Sequence, residues 1–353
     1  MTPPVPRAWV EVDLAALRRN ARVVAAAAAA PLLPMIKANG YGLGAVPVAR
    51  ALESLDPWGY GVATWEEAVE LRQAGISRPV LVFTPLLPAD AGAARPVGVR
   101  PCIGDPGALE CWLTQGSGPF HLEIDTGLRR AGIPYDDSAA LAHAARLLVR
   151  ASDWEGVFTH FHSADSDPAS ARLQWTRLEA AIAELGRRPR WVHAQSSAGS
   201  FVGPLGADFA RPGIFLYGGC AGAATPEPVA RFQAVVVAVR RVRPGDSVSY
   251  GATWTATRDT TIATVAAGYA DGLLRSLSGK GWIELHGVAH PMVGRVTMDM
   301  TLCDVGDAAV RPGDVATIFG GVVSLDRQAD AAGTISYELL TALGPRVTRR
   351  YRD

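Results

Sequence analysis

Read for alternation and period, the first two-thirds of the chain switches between short apolar runs and longer amphipathic segments. The short runs predict strands at 32–36, 58–63, 79–84, 97–103, 120–125, 154–160, 191–194 and 214–217. Between them, apolar residues spaced three and four apart predict helices such as 65–73, 138–150 and 169–185. Short apolar strands separated by helices imply parallel βαβ units, and eight of them imply a closed (β/α)8 TIM-type barrel, an α/β fold. After Tyr217 the texture changes. A Gly-rich link, GGCAGAATPEP, leads into period-two runs at 232–239, 260–265, 282–285 and 315–319, separated by turn signals such as PGD and HGV. The expectation is a barrel over residues 11–220. A mainly β domain follows over 221–353, joined by an N-terminal strand within 1–10 that starts near Ala8.

Composition narrows the class. The 353 residues carry 34 Lys+Arg against 34 Asp+Glu, a formal net charge of zero, so nothing favours nucleic acid or an anionic membrane as partner. The start, MTPPVPRAWVEVD, lacks the basic-then-apolar order of a signal peptide. The longest apolar run, 23–34, is Ala-rich and too short to span a bilayer. Cys102, Cys111, Cys220 and Cys303 show no CxxC and no metal-ligand spacing, which suits reduced thiols in a cytoplasmic enzyme. One fact is sharper: among the basic residues only Lys37 and Lys280 are lysine. Lys280 sits in the turn-like SGKG, whereas Lys37 ends an apolar run, where an unpaired charge is costly.

A barrel enzyme gathers its chemistry where strands end on the C-terminal face. The polar residues at those points are Lys37, Arg130, His160, Ser196, Ser197 and Arg211. A partly desolvated lysine at a strand end can form a Schiff base. Loops seven and eight of such barrels commonly bind phosphate, and here they offer the Ser197 hydroxyl and the amides after Arg211. Lysine, phosphate cradle and a nearby arginine together suggest pyridoxal 5′-phosphate (PLP).

These residues lie in longer motifs. MIKANGYGLGAVPVARAL, IDTGLRRAGI, FTHFHSAD, RPGIFLYG, VSYGATW, GYADGLLR, VGRVTMDM and the terminal RVTRRY occur in that order. The set, spread over residues 9–351, resembles the alanine racemase family, PLP-dependent isomerases. The resemblance implies a homodimer with active sites shared across the interface, and a supply of D-alanine for peptidoglycan precursors. It implies that Lys37 holds the cofactor and acts on one face of the substrate α-carbon. Tyr250, from the other subunit, would act on the opposite face. Arg130 would bind the substrate carboxylate and hold Tyr250 ready to ionise; Arg211 would donate to the pyridine nitrogen, and His160 would lie against the ring. Tyr41, Ser197, the Gly213 and Ile214 amides and Tyr351 would bind the phosphate. Met298 and Asp299 would close the pocket from the partner chain, with Tyr269, Arg275, Arg295 and Asp165 at its entrance. No metal is implied.

Four positions depart from the family pattern. Glu123 stands where many members carry a carbamylated lysine that braces the arginine matching Arg130, so it is expected to supply that carboxylate directly. Leu43 replaces a usual His, Ser196 a usual Asn, and Arg129 a small or polar residue. These changes leave racemisation of serine or another small amino acid as an alternative. Plainer roles remain open for single residues: an ion pair for Lys37, Arg130 or Arg211, core packing for Tyr250 or His160, a helix cap for Ser197. Two other classes also remain. His160-x-His162 with His193 could serve a metal-dependent hydrolase, and a non-catalytic PLP-binding protein would share the barrel and lysine. The VSYG and MDM segments argue against the second and against a related PLP decarboxylase.

Overall fold

The computed structural model describes residues 6–94, 97–115 and 118–353. The first five residues of the expected N-terminal segment therefore lie outside it. The chain opens with β1 (Ala8–Asp13), which belongs to the second half of the molecule. The barrel follows, with β2 (Tyr60–Val62), β3 (Val80–Pro85), β4 (Arg100–Ile103), β5 (Phe120–Asp125), the short β6 (Ile133–Pro134), β7 (Trp154–Phe158) and β8 (Trp191–His193). All pair in parallel, in the order β2-β3-β4-β5-β7-β8, with β6 added beside β5. Helices cover one face and barrel side chains fill the other, so these strands are buried on both sides; all six residues of β5 are buried, the polar His121, Glu123 and Asp125 among them.

Two irregular segments close the ring. Residues 31–36 bond β2 through Ile36 N to Gly61 O (2.9 Å) and Gly61 N to Pro34 O (2.9 Å). On the other side Leu33 N reaches Ala210 O (2.7 Å) and Met35 N reaches Pro212 O (2.8 Å). Pro31, Pro34 and Pro212 have no N–H to give, which limits these positions to isolated bridges at Leu32–Ala210 and Met35–Gly61. The eighth barrel position is thus 208–212, tied to β8 by Asp208 N to Val192 O (2.8 Å). The strand expected at 214–217 is instead a 3-10 turn, Ile214–Tyr217, whose four side chains are all buried. A short buried apolar run carries no period that separates strand from helix, and the bounding Gly213 and Gly218 (φ 91°) favour the turn. The expected fourth strand is shorter than its apolar run, starting at Arg100 rather than 97. Asp residues cap the barrel helices: Asp13 Oδ1 accepts from Ala16 N at 2.7 Å, and Asp105, Asp137 and Asp167 do the same for later helices.

The second half is built on β9 (Ala230–Val242), longer at both ends than the run expected at 232–239. It is joined by β10 (Ser247–Val248), β11 (Trp254–Thr255), β12 (Thr260–Val265), β13 (Trp282–Leu285), β14 (Val288–Pro291), β15 (Thr301–Gly306), β16 (Val315–Phe319) and β17 (Thr348–Arg352). The main sheet runs β14-β13-β16-β9-β1-β17, with β12 pairing both β9 and β15. β1 lies antiparallel to β9 and parallel to β17, stitching the two ends of the chain into one sheet. Two short helices, Leu325–Ala332 and Ser336–Thr341, leave this sheet and lean over the C-terminal mouth of the barrel.

Candidate active site

At that mouth lies a cavity of about 410 Å³, lined by Lys37, Tyr41, Arg130, His160, Ser196, Ser197, Arg211 and Gly213 among others. Its size suits a small cofactor plus substrate. Lys37 enters it from the end of segment 31–36, at the start of the helical turn Lys37–Tyr41. That turn is wound left-handed, with positive φ at Ala38, Asn39, Gly40 and Tyr41. For residues with a Cβ this costs about 1–2 kcal/mol each, and the surroundings must hold it. Glu67 accepts from Ala38 N (2.6 Å) at one end, and Asn39 Oδ1 accepts from Ala45 N (3.0 Å) at the other. Burial lowers the Lys37 amine from its ordinary value, and the Arg130 charge lowers it further against Glu67.

Arg211 is 3% exposed and fully engaged on its inner side. It donates to the carbonyls of Thr159 (2.8 Å), His193 (3.0 Å) and Ala194 (3.2 Å), and to His193 Nδ1 at 2.5 Å. Burial lowers it to about 10, so the guanidinium stays charged at neutral pH. His160 Nδ1 accepts from Arg211 at 3.3 Å, and burial followed by the Arg211, Arg130 and Lys37 charges holds that imidazole down at about 3. It is neutral. Ser197 Oγ accepts from Gly213 N (2.8 Å) and Phe215 N (3.3 Å). A Cβ on Gly213 would fall 2.1 Å from the Tyr41 hydroxyl, so glycine is what lets hydroxyl and amide share this corner. Tyr41 stacks on Tyr217 at 4.4 Å, and burial raises its phenol far above the ordinary value.

The departures sort themselves by position. Glu123 is 4% exposed and its Oε2 has no hydrogen-bond partner. Burial raises its carboxyl, against the opposing fields of Arg130 and Arg211. Arg129 points elsewhere, pairing with Asp136 at 2.9 Å on the surface. Leu43 is fully buried, and Ser196 lines the cavity.

Other expected site residues do not line this cavity. Tyr250 is 72% exposed, and Met298 and Tyr269 are exposed too. Asp299 is paired with Arg346 at 2.9 Å. Tyr250 follows a backbone kink with positive φ at Ser249 and Ala252, pinned by Ser249 Oγ to Arg295 O (2.9 Å) and from Arg295 N (3.1 Å). Tyr351, expected at the phosphate, turns away: its hydroxyl donates to Leu43 O at 2.9 Å. The tyrosine that does line the cavity is Tyr337, 5.9 Å ring-to-ring from Tyr41. Tyr337 escaped the sequence reading because its helix, Ser336–Thr341, is short and has no catalytic-looking neighbour. Asp326, Asp330 and Asp165 form an acidic rim, of which only Asp165 was singled out. As for a metal centre, both ring nitrogens of His193 are already bonded, and His162 Nδ1 is bonded to Ser163 at 2.7 Å. Among the described residues no group of three His, Cys, Asp or Glu is placed to hold an ion.

Comparison with known proteins adds an independent line. Residues 12–221 match the family described as alanine racemase, N-terminal domain, and residues 229–351 its C-terminal domain. An alanine racemase of Symbiobacterium thermophilum is 39% identical over 97% of this chain and 96% of its own. The biosynthetic alanine racemase of Pseudomonas aeruginosa superposes with a TM-score of 0.90 at 32% identity, over 99% of this chain and 100% of that one. The alanine racemase of Bartonella henselae, solved with covalently bound pyridoxal phosphate, gives 0.91 at 27% identity with the same coverage.

Proposed function

Because the chain belongs to the alanine racemase family, and so is an amino-acid isomerase, we propose that it interconverts L- and D-alanine as a homodimer, with pyridoxal 5′-phosphate held at Lys37. The observation that carries this reading is the company Lys37 keeps. A half-buried lysine with a depressed proton affinity shares one cavity with a charged, immobilised Arg211 and a Ser197–Gly213–Tyr41 corner rich in donors. Those groups suit the cofactor: an amine to hold its aldehyde carbon, amides and hydroxyls for its phosphate, a permanent donor for its ring nitrogen.

The cofactor, when bound, serves as an electron sink that acidifies the α-C–H of an attached amino acid. The protein must then remove a proton from one face and return one to the other. Lys37 Nζ, whose burial favours the neutral amine, is the base on one face. Tyr250 of the partner subunit is the base on the other; its exposure outside its own chain's cavity supports a role in trans. Arg130, a cation at the cavity wall, holds the substrate carboxylate. His160, neutral and bonded to Arg211 at the cavity wall, would face the cofactor ring without adding charge. Tyr41, Ser197, Gly213 and Ile214 serve the phosphate, with Tyr337 in the place expected of Tyr351. Met298, Asp299 and Tyr269 of the second copy close the cavity beside Tyr250. Glu123 sets the orientation of Arg130 through its field, at a cost in stability from its own burial. No helix among the described residues is long and apolar enough to cross a membrane; we place the enzyme in the cytoplasm, supplying D-alanine for peptidoglycan.

Borohydride reduction of the PLP-loaded protein, followed by peptide mapping, tests the reading at its root. The reduced pyridoxyl group is expected on Lys37. Its appearance on Lys280, or on no lysine, overturns the proposal.

A further inference from the structure

Beneath the cavity, the barrel interior holds a line of polar groups that proton transfer at the substrate leaves unused. Arg211 Nη1 lies 2.5 Å from His193 Nδ1, and His193 Nε2 lies 2.8 Å from His121 Nδ1. His121 Nε2 lies 3.3 Å from Glu155 Oε2, and Arg100 Nε donates to that same oxygen at 2.8 Å. The line crosses three neighbouring strands, β5, β7 and β8. It runs from the cavity to a carboxylate near the start of β7, on the opposite side of the barrel. Both imidazoles are fully buried, whereas the Glu155 side chain keeps 19% of its exposure.

The chemistry of the end groups fixes every proton between them. A guanidinium only donates, so His193 Nδ1 must accept. A neutral imidazole carries one N–H, which places the proton of His193 on Nε2 and makes His121 Nδ1 an acceptor in turn. The proton of His121 is then on Nε2 and points at Glu155. A proton on either Nδ1 would set two N–H groups face to face. Burial, with the Arg211 charge, keeps both rings neutral, against the pull of Glu155 on His121. Burial raises the Glu155 carboxyl, but the bonds from His121 and Arg100 outweigh it and hold it at about 2. The surroundings are shaped for this line. A Cβ at Gly156 would sit 2.3 Å from His121 Nδ1, and the His193 ring is stacked against Phe158 (5.0 Å) and Phe209 (4.3 Å).

We propose that Glu155 is a positioning residue for Arg211, acting through a one-way histidine relay in which His121 and His193 are both held as Nε2–H tautomers. The carboxylate strengthens each successive acceptor, because hydrogen bonds in a chain polarise one another by roughly 10–30% per bond. His193 Nδ1 thereby grips Arg211 Nη1 and sets which N–H groups, and how much of their acidity, remain for the cavity. The consequence for the cofactor rests on the reading that Arg211 serves the pyridine nitrogen; the relay itself does not.

The test uses holoenzyme labelled with 15N-histidine and long-range proton–nitrogen correlation. In the wild type, His121 and His193 should each show a pyridine-like Nδ1 and a pyrrole-like Nε2, unchanged through the neutral pH range. Glu155→Leu should leave both tautomers in place, since Arg211 dictates them, but it takes the acceptor from the His121 Nε2–H and should shift the His193 Nδ1 resonance. Should that variant not fold, Glu155→Gln, whose amide oxygen still accepts, should keep both tautomers yet shift the His193 Nδ1 resonance and the absorbance maximum of the bound cofactor. Arg100→Gln breaks the same salt bridge but leaves the carboxylate, so both tautomers should survive and His193 Nδ1 should shift less than in Glu155→Gln. Finding either ring as Nδ1–H or as a titrating cation overturns the relay. So does an equal response to Glu155→Gln and Arg100→Gln, which is what a merely bracing ion pair produces. Failure of the functional reading shows elsewhere, as an unmodified Lys37.

Discussion

The barrel mouth and the Tyr250 region of the β domain contrast sharply. At the mouth, Lys37, His160 and Arg211 are desolvated, mutually bonded or mutually repelling, and all three are displaced from their ordinary protonation behaviour. Tyr250, Met298 and Tyr269 are exposed, and hydrogen bonds near them pin backbone rather than functional atoms. One region is pre-built by its own chain; the other is only presented. A proton-transfer site needs desolvated, positioned groups on both faces of the reacting carbon. Under the proposed reading the second region acquires its function when another copy buries it, and the contrast is what a shared site would produce.

The largest effects should come from the two bases. Lys37→Ala is expected to lose about 10³-fold or more in kcat/KM, and Tyr250→Phe about 10²–10⁴-fold. They should differ in kind: with isotopically labelled alanine, Tyr250→Phe should still exchange the α-proton of one enantiomer, while Lys37→Ala exchanges neither. Equal loss of exchange from both enantiomers in Tyr250→Phe would remove the assignment of one base to each face.

Arg211→Glu comes next. It places an anion among the carbonyls of Thr159, His193 and Ala194 and replaces a fixed donor with a group that can carry a proton. A loss of about 10²-fold in kcat is expected, together with a new long-wavelength absorbance during turnover. A guanidinium that keeps its proton should leave the cofactor ring less electron-withdrawing than a group that protonates the ring nitrogen, and so keep the substrate carbanion short-lived. Absence of that band would contradict this.

Glu123→Gln should be smaller and double-signed. If the carboxylate orients Arg130, KM for alanine should rise several-fold with kcat nearly unchanged. Stability should move the other way. Burial makes the folded state hold the Glu123 proton more tightly than the unfolded chain does. Stability is therefore lost as pH rises through the unfolded value and stops falling above the folded one. Removing the charge should raise Tm by a few degrees at neutral pH and less in acid. Unchanged kinetics would reduce Glu123 to a packing residue.

Much of this contrast was legible in the chain before folding. Lys37 stood out because a rare residue ended an apolar run, and burial is what an apolar run encodes. Arg211, Ser197 and His160 were reachable because strand ends of a barrel converge, whatever their sequence separation. Elements whose shape depends on non-local packing were harder to read. The 208–212 segment closes the barrel with hardly any strand signal, while 214–217 carries a strand-like signal and forms a turn. Tyr351 and Tyr337 are both terminal-region tyrosines, and only the path of Ser336–Thr341 over the mouth decides which lines the cavity. His121 and Glu155 each look like ordinary strand residues; their link exists only because β5, β7 and β8 are neighbours.

The central claim, that one chain supplies Lys37 and its partner Tyr250, is tested most directly by mixing two inactive variants. Lys37→Ala and Tyr250→Phe chains are co-refolded in equal amounts, and racemisation is measured against wild type. If the site is shared, half of the dimers are hybrids and each hybrid carries one intact site, so about a quarter of wild-type activity should return. If both bases act within one chain, no combination rebuilds a site, and a mixture as inactive as its parents would contradict the account.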